Sequence, residues 1–262
     1  MEGVYLVLFT RRQIYATECF LVWNVPLFCS DRYLQLVRIV KHVRTYISPI
    51  GYDTRRVTRP VVKTGLGAED TVVLLRPSEE SDTEQAMQAV ADVEQLLQEI
   101  EPMASCSIER ISTETFEATV RDCCAVLADI DSDSNAIVSL GGGPRDVLLP
   151  LTVAALVLSQ TVDNALFFSD IDNTVQEWPL PDLTTGIPSR TTDTFEAIVT
   201  AGDWLSLSTI ADETAQSKST VIRHVNDLED AGLVESDTSE KAKRIRIAFS
   251  GELLSLARAS SP

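Results

Sequence analysis

Histidine is nearly absent from this chain of 262 residues, which holds only His42 and His224. The five cysteines are scattered, and none has the CxxC or Cys/His spacing of a zinc site. Their odd number argues against a framework of disulfides. Metal sites and histidine-based nucleophilic catalysis therefore have little material in this sequence.

Long apolar runs and lysine are also scarce. The longest apolar run, residues 147–158, is far shorter than the roughly 18–20 residues of a membrane span, so a cytoplasmic protein without a membrane partner is expected. Acids outnumber bases 39 to 22, only five of the bases are lysine, and the net charge is −17. This composition resembles that of proteins from salt-loving archaea, which we favour over an ordinary acidic cytosolic protein.

Residues 1–42 differ from the rest of the chain. They carry three acids and five bases, a net +2, which leaves −19 on the remaining 220 residues. The segment is apolar and rich in aromatics but lacks strand alternation, caps and turn signals. Two explanations remain: an extension that binds a membrane surface or a partner, or a start codon assigned too far upstream. We favour the second, with the native chain beginning near Val40 or Val43.

Residues 43–178 alternate between strand and helix patterns. The pattern predicts helices at 54–63, 82–100, 113–128 and 145–160, separated by strands at 44–50, 71–75, 105–111, 136–140 and 165–169, with an edge strand at 174–178. Such alternation predicts an α/β fold with a mostly parallel, Rossmann-like sheet and helices on both faces. In a 3-2-1-4-5 strand order, ligands bind where the first and fourth strands end.

Two unusual loops follow those two strands: SPIGYDTRR after the first and LGGGPRD after the fourth. Glycines let the backbone approach a ligand closely, and the helix that begins at Arg145 offers unpaired N–H groups suited to phosphate. Arg145 adds a guanidinium that can bind phosphate through two hydrogen bonds. The predicted ligand-binding residues are Gly51, Asp53, Thr54, Arg55, Gly141, Gly142, Gly143 and Arg145.

The glycine run has an alternative explanation, because three glycines also make a tight strand-to-helix turn. It fits neither GxGxxG nor GxxxxGK[ST], which disfavours dinucleotide cofactors and P-loop chemistry. Asp53 and Asp146 are carboxylates, but such residues more often bind a ribose or a loop backbone. The expectation is no catalytic residue, no metal and no resident cofactor.

A segment rich in proline and glycine, residues 179–192, predicts a linker between this domain and a second one at residues 193–262. Helices are predicted at 194–200 and 207–214, followed by a turn and a third helix capped by Ser217. Gly232 ends that helix, and two short strands at 233–235 and 244–249 can pair around a polar tip. This order is the winged-helix pattern, in which the third helix enters the major groove of DNA.

Basic residues concentrate on the third helix and the wing, although residues 191–262 as a whole carry −5. A solvated helix or a protein-binding winged helix is the alternative, and the combination of helix, wing and charge favours DNA. Because phosphate contacts weaken in salt, Ser219, Thr220 and Arg223 are expected to contact bases. The predicted DNA-binding residues are Ser217, Lys218, Ser219, Thr220, Arg223, His224, Lys241, Lys243 and Arg244.

The two domains in this order resemble archaeal CRISPR-associated regulators, in which a Rossmann-like CARF sensor precedes a winged helix. The similarity is closest to a haloarchaeal family of CARF-like winged-helix transcriptional regulators. It rests on SPIGYDTRRVTRPVV, SLGGGPRDVLLPLTVAAL and SKSTVIRHVNDLEDAGLVE and covers about residues 43–258. The resemblance implies a homodimer with a shared pocket for a cyclic oligoadenylate or another nucleotide. GGGPRD departs from the TGGT-like form common in CARF loops, which leaves the ligand open.

The sequence therefore predicts a transcriptional regulator that binds double-stranded DNA and responds to a nucleotide-type ligand. Two alternatives stay open at this point: an enzyme that cleaves a cyclic oligonucleotide, and a DNA-binding regulator whose sensor pocket holds no ligand.

Overall fold

The computed structural model of the protein describes residues 43–78, 83–169, 171–239 and 242–259. The predictions made for residues 1–42 and for Lys241 lie outside these ranges. The first part of the described chain alternates strands and helices in the order β1 Val43–Pro49, α1 Arg55–Thr64, β2 Thr71–Pro77, α2 Glu84–Ile100, β3 Ser105–Ile111, α3 Phe116–Ala128, β4 Ser134–Ser139, α4 Arg145–Val157, β5 Asn164–Phe168 and β6 Val175–Trp178.

The six strands form one sheet in the order β3-β2-β1-β4-β5-β6. All neighbours are parallel except β5 and β6, which are antiparallel. The strand order reverses between β1 and β4, where Thr45 lies opposite Ala136. The predicted mostly parallel Rossmann-like sheet is therefore confirmed, and its topological switch point lies between β1 and β4.

Each face of the sheet buries its own core, because successive side chains of a strand point to opposite faces. Tyr46 packs in one core with the apolar sides of α1 and α2, and the next residue, Ile47, packs in the other with α3 and α4. The edge strand β3 is different, since five of its seven residues are exposed.

Helix α1 runs through Pro60. Proline has no N–H, so the carbonyl of Arg56, four residues earlier, loses its usual helical partner. The hydroxyl of Ser139 donates to that carbonyl at 3.2 Å. The Ser139 side chain at the end of β4 thus replaces the missing helical hydrogen bond and ties α1 to β4.

The second part follows a 3-10 turn at Ser189–Thr191. Its elements are α5 Thr192–Ala201, β7 Leu205–Ser206, α6 Leu207–Thr214, α7 Lys218–Asp230, β8 Val234–Asp237, β9 Arg244–Ile247 and α8 Phe249–Ala259. Strands β7, β9 and β8 form a small antiparallel sheet in that order. The predicted winged helix after the Rossmann-like sheet is confirmed.

Two elements of the second part were not predicted from the sequence. Strand β7 has only two residues, which leaves no alternation to detect. Helix α8 contains Gly251, and glycine usually disfavours a helix. Here a Cβ on Gly251 would lie 2.2 Å from the Leu233 carbonyl oxygen, so close packing requires the glycine.

Candidate functional site

The loops that follow β1 and β4 meet at the carboxyl edge of the sheet. An added Cβ on Gly51 would lie 3.3 Å from the Cα of Gly143, so the two loops are in van der Waals contact. They enclose two adjoining cavities of about 340 and 400 Å³. The first is lined by Ile50, Gly51, Tyr52, Arg76, Ala86, Gly143 and Pro144, and the second by Gly51, Tyr52, Asp53, Arg56, Gly141, Gly142, Gly143, Arg145 and Leu148.

Six of the eight predicted ligand-binding residues line the second cavity. Thr54 and Arg55 do not line either cavity. Thr54 precedes α1 without capping it, and Arg55 is exposed and bonded to Asp53.

At each of the three glycines of the loop, a neighbouring atom lies too close to leave room for a Cβ. An added Cβ would lie 2.6 Å from the Phe168 nitrogen at Gly141 and 2.4 Å from the Arg56 Cδ at Gly142. Gly143 has φ +91° and would place a Cβ 2.5 Å from the Cβ of Pro49. The tight-turn explanation is thus sufficient for the glycines, and the same packing forms the cavity wall.

Arg56 is the residue of this site that sequence reasoning missed. Its Nη1 donates to the Gly141 carbonyl at 2.6 Å, and its Nε lies 3.4 Å from the Asp53 carboxylate. Arg56 therefore braces the glycine loop against the loop after β1. Tyr52, Arg76 and Leu148 also line the cavities without having been predicted. Only Tyr52 and Arg56 carried a signal in the sequence, because they lie next to predicted ligand-binding residues. Arg76 and Leu148 are brought to the cavities by the strand order of the sheet, which no local pattern shows.

Positive groups face the second cavity. Arg145 is exposed and makes no hydrogen bond or ion pair with any described residue. It opens α4, whose N-cap Pro144 has no side chain that can accept from the first-turn N–H groups. By contrast, Thr83 and Thr115 cap α2 and α3 by accepting the amides of Ala86 and Ala118. The start of α4 is accordingly suited to an anion.

Asp53 is the acidic group in the same cavity. Its hydrogen bonds with Arg55, at 2.9 and 3.0 Å, hold the pKa of that carboxyl below its ordinary value. Asp53 is therefore ionised at neutral pH, and its charge is offset by Arg55 and Arg56.

The described cysteines lie away from these cavities and are poor nucleophiles. Burial raises the pKa of Cys123 to about 12, and burial together with Glu94 raises the pKa of Cys106 to about 11. Since the thiolate is the reactive form, neither thiol supports covalent catalysis near neutral pH.

The second candidate site is the exposed face of α7. Ser217 caps this helix, and its hydroxyl accepts the Thr220 amide at 3.1 Å. The inward face packs Val221, Val225 and Leu228 into the winged-helix core. Lys218, Ser219 and Arg223 are exposed on the opposite side.

His224, another of the predicted DNA-binding residues, lies on the inward side of this helix. It is 8% exposed, and its Nδ1 lies 2.9 Å from the hydroxyl of Thr194 on α5. Its ring serves the contact between α5 and α7, because position 224 follows Arg223 by one residue and turns toward the core.

The described bases of the wing, Lys243, Arg244 and Arg246, are paired with acids of the same domain. Lys243 bonds Glu229 at 2.6 Å, and Arg244 lies 3.4 Å from Asp237. Arg246 pairs with Glu235, and its guanidinium also stacks over Trp204 at 4.7 Å from the ring centroid. Lys218 and Arg223 differ from these bases, since neither bonds to any described residue.

Family comparisons match each half of the described chain. The Csa3 CRISPR-associated Rossmann-like domain family matches residues 44–174, and the MarR family matches residues 185–245. No curated protein matches. Every helix in the described ranges is too short or too polar to cross a bilayer.

Several solved structures are similar to parts of the chain. AF1382 from Archaeoglobus fulgidus is 20% identical over 28% of this chain and 82% of that one, with a TM-score of 0.25. Csm6 from Enterococcus italicus, bound to cyclic hexa-2'-fluoro-hexa-dAMP, is 11% identical over 72% of this chain and 55% of that one, with a TM-score of 0.44. VC1899 from Vibrio cholerae is 8% identical over 80% of this chain and 63% of that one, with a TM-score of 0.40. The chain spans about half the length of the Csm6 chain.

Proposed function

We propose that this chain, which belongs to the Csa3 CRISPR-associated Rossmann-like domain family, is a DNA-binding transcriptional regulator that responds to a nucleotide-type ligand. The MarR-type winged helix at residues 185–245 supports the DNA-binding half of the proposal. The observation that carries it is the exposed face of α7, where Lys218 and Arg223 stand without partners among the described residues.

Helix α7 is proposed to enter the major groove. Its capped N-terminal end carries Lys218, Ser219 and Thr220, and Arg223 lies about one turn further on. An arginine in this position can bind O6 and N7 of guanine together, which is the commonest specific contact in the major groove. Lys218, at the start of the helix, is left to position the protein on the phosphates.

The cavities at the carboxyl edge of the sheet are proposed to hold the ligand. The second cavity combines Arg145, the uncapped start of α4 and the brace of Arg56, which suits a phosphate group. The first cavity is lined by Tyr52, Ile50, Ala86 and Pro144, which suits an apolar ring. A cyclic oligoadenylate is the candidate that the family suggests.

A homodimer is proposed because the carboxyl edge of the sheet is ringed by exposed apolar side chains. Tyr52, Met87, Phe116 and Leu149 are each more than half exposed, at 58, 52, 55 and 58%. All four lie in the loop or the first turns that follow the strands. A second copy that covered this ring would bury it and close the cavities from above.

Genome-wide mapping of bound sites, followed by gel shift on the sites found, tests DNA binding. The expected result is a recurrent sequence with two half-sites about one helical turn apart. An absence of enriched sites, together with no gel shift, would reject the regulator assignment.

Thermal unfolding with cyclic tetra-adenylate tests the ligand. A ligand that binds only the folded state raises the melting temperature, by an amount equivalent to about 2.7 kcal/mol at 100 times Kd. Arg145→Ala should lose most of that rise, whereas exposed Arg59→Ala, outside both cavities, should keep it. Analysis of the same mixtures for linear products tests the alternative that the protein cleaves the ring.

A further inference from the structure

The segment between the sheet and the winged helix, residues 180–187, is held to both parts by packing and hydrogen bonds. It is called the joint below. At its start, Leu180 packs against the core shared by α3 and α4. Near its end, Ile187 packs against the winged-helix core. The few residues between these two anchors therefore set how the two parts are oriented.

Asp182 is the centre of this joint. Its Oδ1 accepts the Thr184 amide at 2.8 Å, the Thr184 hydroxyl at 2.8 Å and the Thr185 amide at 3.1 Å. Its Oδ2 accepts Nε2 of Gln160 at 3.1 Å, from the chain just beyond α4. Burial works to raise the pKa of Asp182, but these hydrogen bonds hold it below the ordinary value, so the carboxylate stays charged near neutral pH.

The same short segment is fastened to the winged helix at two points. The backbone N–H of Asp182 donates to the hydroxyl of Ser250 in α8 at 2.9 Å. The hydroxyl of Thr185 donates at 3.2 Å to the carbonyl of Ala231, which ends α7. Helix α8 is itself seated on the winged-helix sheet, because its Gly251 lies against the Leu233 carbonyl.

Helix α4 connects this joint to the glycine loop. It begins at Arg145 on the cavity wall and ends at Val157, three residues before Gln160. Its 13 residues make a rod about 20 Å long at 1.5 Å per residue. One helix thus reaches from the proposed ligand site to the side chain that bonds Asp182.

We infer that Asp182 is a positioning residue for DNA binding: through Gln160, Thr185 and Ser250 it fixes the orientation of α7 relative to the sheet. In a dimer, that orientation sets the distance between the two recognition helices and therefore the half-site spacing that the protein accepts. The DNA part of this inference rests on the proposed function, whereas the joint itself can be tested without DNA or ligand.

Limited proteolysis of the full chain with chymotrypsin tests the joint. Proline follows Trp178 and Leu180, which blocks cleavage there, so Leu183–Thr184 is the open chymotryptic bond in this stretch, and Leu183 is 54% exposed. Asp182→Asn keeps an oxygen for Thr184 and Thr185 but loses the acceptor for Gln160. It should speed cleavage at Leu183 about threefold, and Asp182→Ala about tenfold, in line with the loss of one or several hydrogen bonds.

Further variants test whether faster cleavage comes from loss of the bond between Asp182 and Gln160. Gln160→Ala should match Asp182→Asn, and the double variant should add little, because both remove the same bond. Asp172→Asn is the matched control, since Asp172 accepts from Thr174 in the same way within the loop after β5. The inference that Asp182 holds this segment is refuted if the Asp182 variants are cleaved at Leu183 no faster than the wild type. It is also refuted if Asp172→Asn accelerates that cleavage equally.

Binding to spaced half-sites tests the positioning role. On duplexes selected by the wild-type protein, Asp182→Ala should bind about tenfold or more weakly at the selected spacing, because avidity depends on matched geometry. It should also tolerate a five-base-pair insertion better than the wild type does, with single half-site affinity unchanged.

Equal spacing dependence in Asp182→Ala and the wild type would refute the positioning role while leaving DNA binding intact. If the wild type selects no DNA, the proposed function and the positioning role both fail, and proteolysis still decides whether the joint exists.

Discussion

At the scale of single residues, the basic side chains of the winged helix fall into two groups. Lys243, Arg244 and Arg246 are held by carboxylates of their own domain. Lys218 and Arg223 on α7 bond to no described residue. A paired base must give up its acid, or share it, before it can bind a phosphate, so the unpaired bases are the ones expected to contribute most to DNA affinity.

Arg223→Ala should weaken operator binding by about 1–3 kcal/mol, roughly five- to 150-fold, and relax specificity at one base pair. Gel shift on the mapped operator and on single-base variants measures both effects. Arg246→Ala is the control, because its guanidinium is already engaged by Glu235 and Trp204, and its effect should be smaller and uniform across sequences. Unchanged affinity and specificity in Arg223→Ala would refute the assignment of this residue to base recognition.

Gly142→Ala should destabilise the protein by about 1–3 kcal/mol, since the added methyl overlaps the Arg56 side chain in a packed loop. Urea unfolding followed by circular dichroism measures the change. Gly186→Ala is the matched control because an added Cβ there meets nothing within 4 Å. A loss at Gly142 no larger than that at Gly186 would contradict the packing account.

Which residues the sequence could predict depended on how far apart their partners lie. The glycine loop is visible because its three glycines are adjacent, and six of the eight predicted residues line one cavity. Arg56 was missed because its contact with Gly141 joins positions 85 residues apart. The contact of His224 with Thr194 was not visible in the sequence, because an amphipathic pattern does not show which residue at the edge of the apolar face turns inward.

At the scale of elements, the capping of the helix starts bears on the proposed ligand site. Helices α2, α3, α6 and α7 are capped by the hydroxyls of Thr83, Thr115, Ser206 and Ser217. Helix α4 has no side-chain cap and follows the glycine loop, whereas at the start of α1 the Asp53 carboxylate accepts the Arg55 amide at 3.3 Å. Among the described residues, none accepts the first two N–H groups of α4, which are left for solvent or for a ligand.

Ser217→Ala should cost about 1 kcal/mol of stability, as removal of an N-cap usually does. It should also weaken DNA binding, because the first turn of α7 carries Lys218, Ser219 and Thr220. Ser206→Ala makes a comparable test, since its hydroxyl accepts the Thr209 amide at the same 3.1 Å on α6. Thermal unfolding and gel shift together decide: equal effects of the two variants on DNA binding would argue against the start of α7 as a contact surface.

The order of the longer helices and strands could be predicted from the sequence. The two-residue strand β7 and the helix α8, which packs through a glycine, could not. Periodicity over 10 to 17 residues identifies helices such as α1 and α2. The wing was predicted, but its second strand was extended to Phe249, the first residue of α8. The reason is physical: Gly251 is a packing requirement against Leu233, and a glycine required for packing resembles a glycine that ends an element.

At the scale of the whole molecule, a chain of net charge −17 must bind a polyanion through a small surface. The acids are not all remote from that surface, because Glu229, Glu235 and Asp237 neutralise the wing. The protein therefore meets DNA with few uncompensated charges, and its selectivity is expected to rest on base contacts. The sequence revealed the charge contrast, but the pairing of each base needed the geometry of the wing.

The salt dependence of operator binding should be shallow. Because Arg223 is assigned to a base, Lys218 is the unpaired cation of α7 left for phosphate, and one phosphate per protomer predicts a slope of log K against log salt of about −2 for a dimer, at about −0.9 per phosphate neutralised. Lys241, if it also contacts phosphate, brings the slope to about −4. Fluorescence anisotropy from 0.1 to 1 M salt measures it.

Glu229→Gln provides the matched variant, because it releases Lys243 from its ion pair. It should steepen the slope by about two for a dimer, one phosphate contact per protomer. A wild-type slope near −10, or no change in Glu229→Gln, would show that the wing bases already bind phosphate despite their acidic partners.

The outer edge of β3 bears on how the protein behaves when it is concentrated. Among the described residues, β3 pairs only with β2, so its other side offers N–H and C=O groups to any extended chain that comes close. Neighbouring Glu109 and Arg110 are both exposed on that strand. A second molecule adding a strand there would have to accommodate or desolvate these two charges. The sheet can therefore remain open at this edge while resisting growth into a fibre.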